Sequence, residues 1–309
     1  MKLWVLSACA LLLMSPSALP AWWVKGHQAI TEAAALPLPD DMPAFFRAAG
    51  KQLGHLSGDP DRWKNPDTKS LRAAESPEHF IDLEDYEDNQ WPEDRYKAAS
   101  LLAGRLRKRP ERTGMLPYAL MEHFERLSVA FYDYRQILER EKKLAERGDQ
   151  VSEVEKRAVE AEKNAIEMKC IVYAGVLSHY CADTSMPLHT TIHYDGRVDK
   201  KGPDGKKLQV GIHAKIDAFP ETNGFQAEEI SRNLKAREID DVWKHIRESI
   251  HESFKHIDRC YELDAAGAID RPTPESRAFI LQRCRVGAQL TMDLWYAAWK
   301  RSAKLPPSY

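Results

Sequence analysis

Two histidine–aspartate pairs stand out by their spacing. His179 and Asp183 lie four residues apart in "SHYCADTSMPLH", and His213 and Asp217 repeat the interval in "GIHAKIDAF". Positions four apart project from one face of a helix, so each pair sets an imidazole beside a carboxylate. Zinc takes neutral imidazoles and carboxylates as ligands. His189 follows Asp183 just past Pro187, and His79 opens "HFIDLED". Near the start, "SALPAWWVKGHQAI" puts two tryptophans and His27 where small residues mark a cleavage region. Cleavage after Ala21 leaves Trp22 with a free amine five residues before His27, close enough for both to share a metal ion.

The bare H-x-x-x-D pattern is weak evidence. It recurs at His55 and Asp59, and roughly one such match is expected by chance among this many histidines. A single buried His–Asp pair is more often a hydrogen-bonded core contact. What favours metal is the joint arrangement of these residues with the N-terminal segment.

Rigid elements must hold such residues, and helix-period patterns dominate while strand signals are scarce. "GHQAITEAAA" suits a first helix and "MPAFFRAAGKQLGHL" a second. Residues 54–96, rich in Asp, Pro, Gly and Asn, read as loops with short helical turns. "LPYALMEHFERLSVAFYDYRQILER" predicts a long amphipathic helix. The charged stretch near 135–168, broken at Gly148 and Asp149, reads as a solvated helical insertion. From Ala165 the composition turns apolar, and "AIEMKCIVYAGVLSHYCAD" predicts a buried helix that carries His179 and Asp183 and ends at Pro187. "HYDGRVDKKGPDGKKLQVG" suits a loop or hairpin, and two amphipathic helices complete the chain. The class is all-α, in one domain over 22–309.

Residues 1–21 read as a secretory signal: Lys2, an apolar run from Leu3 to Met14, then "SPSALPA". No later apolar run approaches the ~20 residues of a membrane span. The expected location is therefore secreted or periplasmic. Four cysteines follow, Cys170, Cys181, Cys260 and Cys284, and an even count permits disulfides after export. Cys170 and Cys181 would stand roughly 16 Å apart along one helix, beyond the ~7 Å bridging limit. Either they pair with the C-terminal cysteines, or Cys260 pairs with Cys284. The net charge of -2 excludes a protein that holds nucleic acid mainly through a basic surface, so nucleic acid fits only as a transient substrate. No feature calls for a stable protein partner.

On "WWVKGH", "GDPDRW", "EHFIDLED", "SHYCADTSMPLH" and "GIHAKIDAF" the chain resembles the trinuclear-zinc phosphodiesterases. That family includes the single-strand nucleases of the P-one and S-one types and the zinc-dependent phospholipases C. The resemblance runs from Trp22 to Phe219 and implies the family's helical fold with three zinc ions per chain. It implies one zinc on the Trp22 amine and carbonyl with His27, and a second on His79, His179 and an upstream aspartate. Asp183 would bridge these two; His189, His213 and Asp217 would hold the third. The upstream aspartate is Asp59, with Arg62 three residues on as in the nuclease pattern, or Asp61, which follows a proline as in the phospholipase pattern. The reading leans to Asp61. Both aspartates are candidates for orienting the attacking water, and Arg62 for facing the phosphate. Zinc ions in such a site lower the pKa of bound water toward ~7 and clamp attacking and leaving oxygens in line.

The substrate signals are mixed. "WxxxGH", "HFID" and an aspartate at 217 resemble the nucleases, whereas "LSHY", "GIHAKIDAF" and "GMLPYAL" resemble the phospholipases. "TTIHYDGR" stands where nucleases usually carry a glycine-rich segment. Phe80 could stack a base and Asp82 could accept its hydrogen bonds, but core packing and loop capping account for them equally well. Phe80, Tyr86, Trp91, His193, Tyr194 and the loop "DKKGPDGKK" tilt the expectation toward single-stranded nucleic acid. A phosphatidylcholine-like lipid is the alternative substrate. The rival class is a non-catalytic exported helical protein whose His and Asp residues staple its core.

Overall fold

Helix α1 (Val24–Ala35) leads into short helices α2 (Ala44–Arg47), α3 (Gly50–Leu56), α4 (Asp59–Trp63) and α5 (Lys69–Glu75). Then come α6 (Arg95–Gly104), α7 (Pro110–Thr113) and two long helices, α8 (Leu116–Arg147) and α9 (Glu153–Ser185). A small antiparallel hairpin, β1 (Arg197–Lys201) and β2 (Lys207–Leu208), precedes α10 (Ile212–Thr222). Helices α11 (Ala227–Ile230), α12 (Val242–Phe254), α13 (Ile257–Ala265) and α14 (Pro274–Ser302) complete the fold. This computed structural model describes residues 22–86 and 91–307, so the expected signal segment 1–21 lies outside the described residues. The protein is all-α, as the periodicity predicts.

The centre is a three-helix assembly of α8, α9 and α14, against which α1 and α3 pack. Local chemistry sets the ends. Ser152 and Glu155 form a reciprocal capping box that starts α9, and Thr273 caps α14 ahead of Pro274; each such cap is worth about 1 kcal/mol. In the core, Trp295 stands edge-on to Phe46 at 5.4 Å and donates its indole N–H to the Ala174 carbonyl. Burying a ring such as Phe46 contributes about 2–3 kcal/mol. Gly287 lets α14 cross close over the end of α9: a Cβ there would meet Ser185 Oγ at 2.8 Å and Ala182 Cα at 3.2 Å. Gly114, at φ +91°, faces the Phe80 carbonyl so closely that a Cβ would lie 2.1 Å from its oxygen.

Three expectations change. The segment "MPAFFRAAGKQLGHL" is two short helices, α2 and α3, because the backbone opens at Ala48 (ψ -11°) and Ala49 (ψ 11°). The segment "DDVWKHIRESIHESFKHIDRCYEL" is two helices, because the chain turns at His256 (φ -100°, ψ 5°) and so brings both Ile250 and Ile257 into the core. The expected disulfides are not formed: Cys170, Cys181, Cys260 and Cys284 are unpaired and fully buried. Each thiol packs as a small apolar group inside the helical core. Burial pushes the Cys170 and Cys260 thiols up to about 12, and Cys181 and Cys284 higher still.

Candidate metal centre

The end of α9 turns His179 and Asp183 toward one point, and other elements converge on it. His27 comes from α1, Asp61 from α4, and His79 from the 3-10 turn Ser76–His79. His189 sits in the turn Pro187–Thr190, and His213 and Asp217 lie on α10. Within this convergence, three donor groups each place one atom per residue within 4.8 Å of the others. They are His27, Asp61 and His179; His79, His179 and Asp183; and His189, His213 and Asp217.

Asp183 ties the first two groups together. Its Oδ2 lies 3.0 Å from His79 Nδ1 and 3.2 Å from His179 Nε2. Its Oδ1 lies 3.5 Å from His27 Nε2 and 3.5 Å from His189 Nδ1. The two oxygens of one carboxylate thus face different histidines. The rings of His27 and His179 stack at 3.9 Å, which fixes both imidazoles.

Hydrogen bonds outside the centre set the tautomers. His179 donates from Nδ1 to the Ser57 carbonyl at 2.7 Å, leaving a lone pair on the Nε2 that faces inward. His189 donates from Nδ1 to the His79 carbonyl at 2.8 Å, with the same result. His213 turns Nδ1 toward the Tyr194 backbone and Nε2 inward. The lone-pair Nε2 of His189 therefore lies 3.3 Å from His213 Nε2, which itself stands 2.9 Å from the Asp217 carboxylate. Such partners repel one another unless a proton or a cation lies between them. Donors ~2.0–2.1 Å from one tetrahedral ion stand roughly 3.3 Å apart, and these separations lie close to that value. Both oxygens of Asp61 and of Asp217, and Oδ1 of Asp183, are buried without a hydrogen bond of good angle. The residues fit a metal.

Charge points the same way. Burial holds the carboxyls of Asp183, Asp61 and Asp217 above the usual carboxylate range. It pushes His79 and His189 well below the usual imidazole value, and His179 to about 4. His213 is raised instead: burial opposes its charge, but Asp217 beside it wins. Burying several carboxylates as anions costs several kcal/mol each without a compensating cation. A bound cation reverses that cost.

The sequence-derived residues separate clearly. His55, from the third H-x-x-x-D match, is exposed and outside the groups. The side chain of Asp61 is 3 % exposed and 3.9 Å from His79 Nδ1, whereas Asp59 is 27 % exposed and pairs at 2.6 Å with Arg62. Trp22 is fully buried: its indole donates to the Ala182 carbonyl at 3.1 Å, and its backbone nitrogen faces the Asp217 carboxylate. Phe80 is partly buried against Gly114. Asp82 is buried near Asp85 and Glu84, and its carboxyl is pushed up to about 8, first by burial and then by those acids.

Two residues escaped the sequence reading. Lys64 places Nζ 2.7 Å from Asp61 Oδ1 and 3.4 Å from His79 Nδ1, so an ammonium stands at the edge of the centre. Glu75 accepts a hydrogen bond from Tyr180 and lies 3.6 Å from His79 Nε2, placing a carboxylate behind that imidazole. The signals were the spacings 61/64 and 75/79, both helical. A scan of the chain against protein-family models gives no match, and no curated protein is significantly similar to it. The case for a metal centre rests on this geometry.

Proposed function

We propose that the protein is an exported zinc-dependent phosphodiester hydrolase with three metal sites, acting on single-stranded DNA or RNA. One observation carries the reading: three largely buried donor groups made of imidazoles and carboxylates, two of them joined through the two oxygens of Asp183. Zinc bound there would supply activated water and charge stabilisation for a phosphodiester, whose own anion otherwise repels hydroxide. The ligands we assign are Trp22 and His27; Asp61, His79 and His179; His189, His213 and Asp217; with Asp183 shared.

The chain's own residues do the rest. Ser57 and the His79 carbonyl hold His179 and His189 in the tautomers that ligate. Lys64 pairs with Asp61 and offers positive charge to a phosphate oxygen arriving at the edge of the centre. The side chains of His213 and Lys64 keep 19 % and 15 % exposure against 4 % or less for His27, Asp61, His79, His179, Asp183, His189 and Asp217, so solvent reaches the centre beside these two. Asp59 and Arg62 neutralise each other outside the donor groups, so Asp61 is the better choice for the upstream ligand. Export rests on the N-terminal segment; no helix of the described residues is long and apolar enough to cross a membrane.

A phospholipase C is the second reading, favoured by exposed Val198 and Leu208 on the hairpin and Val210 just after it. The test is metal analysis of the purified protein, with parallel assays on single-stranded DNA, RNA, duplex DNA and phosphatidylcholine. We expect three zinc ions per chain and faster cleavage of single strands than of duplex. Phosphatidylcholine hydrolysis without nucleotide release would select the phospholipase. One zinc or none, with no hydrolysis, would return the protein to the non-catalytic class.

A further inference from the structure

No residue of the β1–β2 hairpin belongs to the donor groups, yet the fold fixes it beside His213. Asp195, at its base, accepts from the backbone N–H of Gly211 at 2.7 Å and of His213 at 3.4 Å, tying the hairpin to the start of α10. On the other side, Gln209 donates its amide to the Tyr261 carbonyl and to Asp264, and Arg197 pairs with Asp258, both on α13. Anchored this way, the hairpin stands next to the most exposed of the assigned ligands.

Tyr194 lies where the hairpin leaves the centre. Its ring stands edge-on to the His213 ring, centroids 6.0 Å apart, and the residue is 51 % exposed. An exposed tyrosine that size has no packing reason to sit beside a candidate ligand. Lys207 places Nζ 5.8 Å from the Tyr194 ring centroid. Among the described residues, Lys200, Lys201 and Lys207 are exposed and make no ion pair, although the chain's net charge is -2. Unpaired cations concentrated on one short element attract an anion with repeated charges. An aromatic face among them suits planar bases, and stacking is worth about 1–3 kcal/mol per base.

The geometry points to a nucleotide subsite: Tyr194 stacks the base next to the scissile phosphate, and Lys207 pairs with the neighbouring phosphate of a single strand drawn across the opening. This rests on the nuclease reading above and gives it a determinant of single-strand preference. A base held in a duplex cannot present its face to Tyr194.

The experiment uses the zinc-loaded protein with two oligonucleotides, one base-bearing and one abasic, and a phosphorothioate strand carrying 2-aminopurine to report stacking. Tyr194→Ala should raise KM for the base-bearing strand about 5- to 150-fold, narrowing its gap to the abasic strand. It should also abolish the 2-aminopurine quench seen with the parent, and Tyr194→Phe should restore both. Lys207→Gln should weaken binding of both strands and flatten its salt dependence by about one phosphate contact. If the parent cleaves the oligonucleotide but Tyr194→Ala leaves KM and quench unchanged, the subsite is wrong and the nuclease reading stands. If the parent neither binds nor cleaves either strand, while hydrolysing phosphatidylcholine vesicles or nothing, both fail together.

Discussion

Helix α9 is one continuous rod with two opposite chemistries. Its first half, with the facing half of α8, carries Arg140–Glu162, Lys163–Glu141 and Arg147–Glu155 pairs near solvent. Its last turns bury His179 and Asp183 completely, in contact with other imidazoles. In the outer half, water screens each charge, and an ion pair is worth about 0–1 kcal/mol. In the inner half, a carboxylate gives up its hydration and gains back little from neutral rings. The same residue types are decoration in one place and a costly demand in the other. That demand is why the inner half reads as a metal centre and the outer half as a solvated arm.

The sharpest way to break the contrast is at Asp183. Asp183→Asn removes the one carboxylate shared between donor groups. Losing even a supporting residue around a metal ligand typically costs about 10–100-fold, so this change should cost more than ~100-fold in kcat/KM. Metal analysis should show fewer than three ions per chain, and the melting temperature should fall because metal binding is coupled to folding. Wild-type metal content and turnover in this variant would mean that burial alone, without zinc, accounts for the inner half.

A smaller loss is expected at the N-terminus. Protein beginning with one extra residue before Trp22 replaces an amine donor by an amide, and activity should fall about 10- to 100-fold. His27 and Asp183 would still hold part of that site. Full activity with three bound ions would remove Trp22 from the ligand set.

How much of this was legible without coordinates depends on the scale of the signal. Helical class, the break at Gly148 and Asp149, and the buried run before Pro187 follow from composition and period alone, and the fold repeats them. His179 with Asp183 and His213 with Asp217 were readable because helical spacing converts directly into proximity. Lys64 was missed for a physical reason. The short helix α4 and its C-cap Lys64 hold two acid–base pairs three residues apart, Asp59 with Arg62 and Asp61 with Lys64. Sequence gives them equal weight; only packing shows that one faces the centre and the other faces solvent. The thiols were misread because an even cysteine count speaks of redox environment, whereas pairing depends on distances set by the core.

Asp82 sharpens the comparison differently, since it is buried yet outside the donor groups. Its carboxyl is raised to about 8, chiefly by burial, against about 3.9 in an unfolded chain. As pH rises between these values, the unfolded chain releases its proton first, so the stability present below about pH 4 is progressively lost up to pH 8. Asp82→Asn removes that loss. The variant should be more stable than the parent by roughly 1–4 kcal/mol near pH 7.5, and the advantage should shrink toward zero as pH falls to about 4. Denaturant melts of the metal-free protein across that range would show it. A difference independent of pH would mean that Asp82 is ionised in the fold.

The smallest effect belongs to the outer arm. Arg140→Ala breaks its pair with Glu162, but both partners are about half exposed. Water and salt rehydrate the glutamate that remains, so no desolvation penalty is left behind. Stability should drop by no more than about 0.5 kcal/mol, and less at high salt, where screening has already weakened the parent's pair. Metal content and turnover should match the parent, because nothing in this pair touches the donor groups. The measurement is a pair of denaturant melts at low and high salt, with an activity assay beside them. A loss of several kcal/mol, or any loss of zinc, would show that the arm transmits strain down α9 to His179 and Asp183. The two halves of the helix would then be one mechanical unit rather than two chemistries on a common axis.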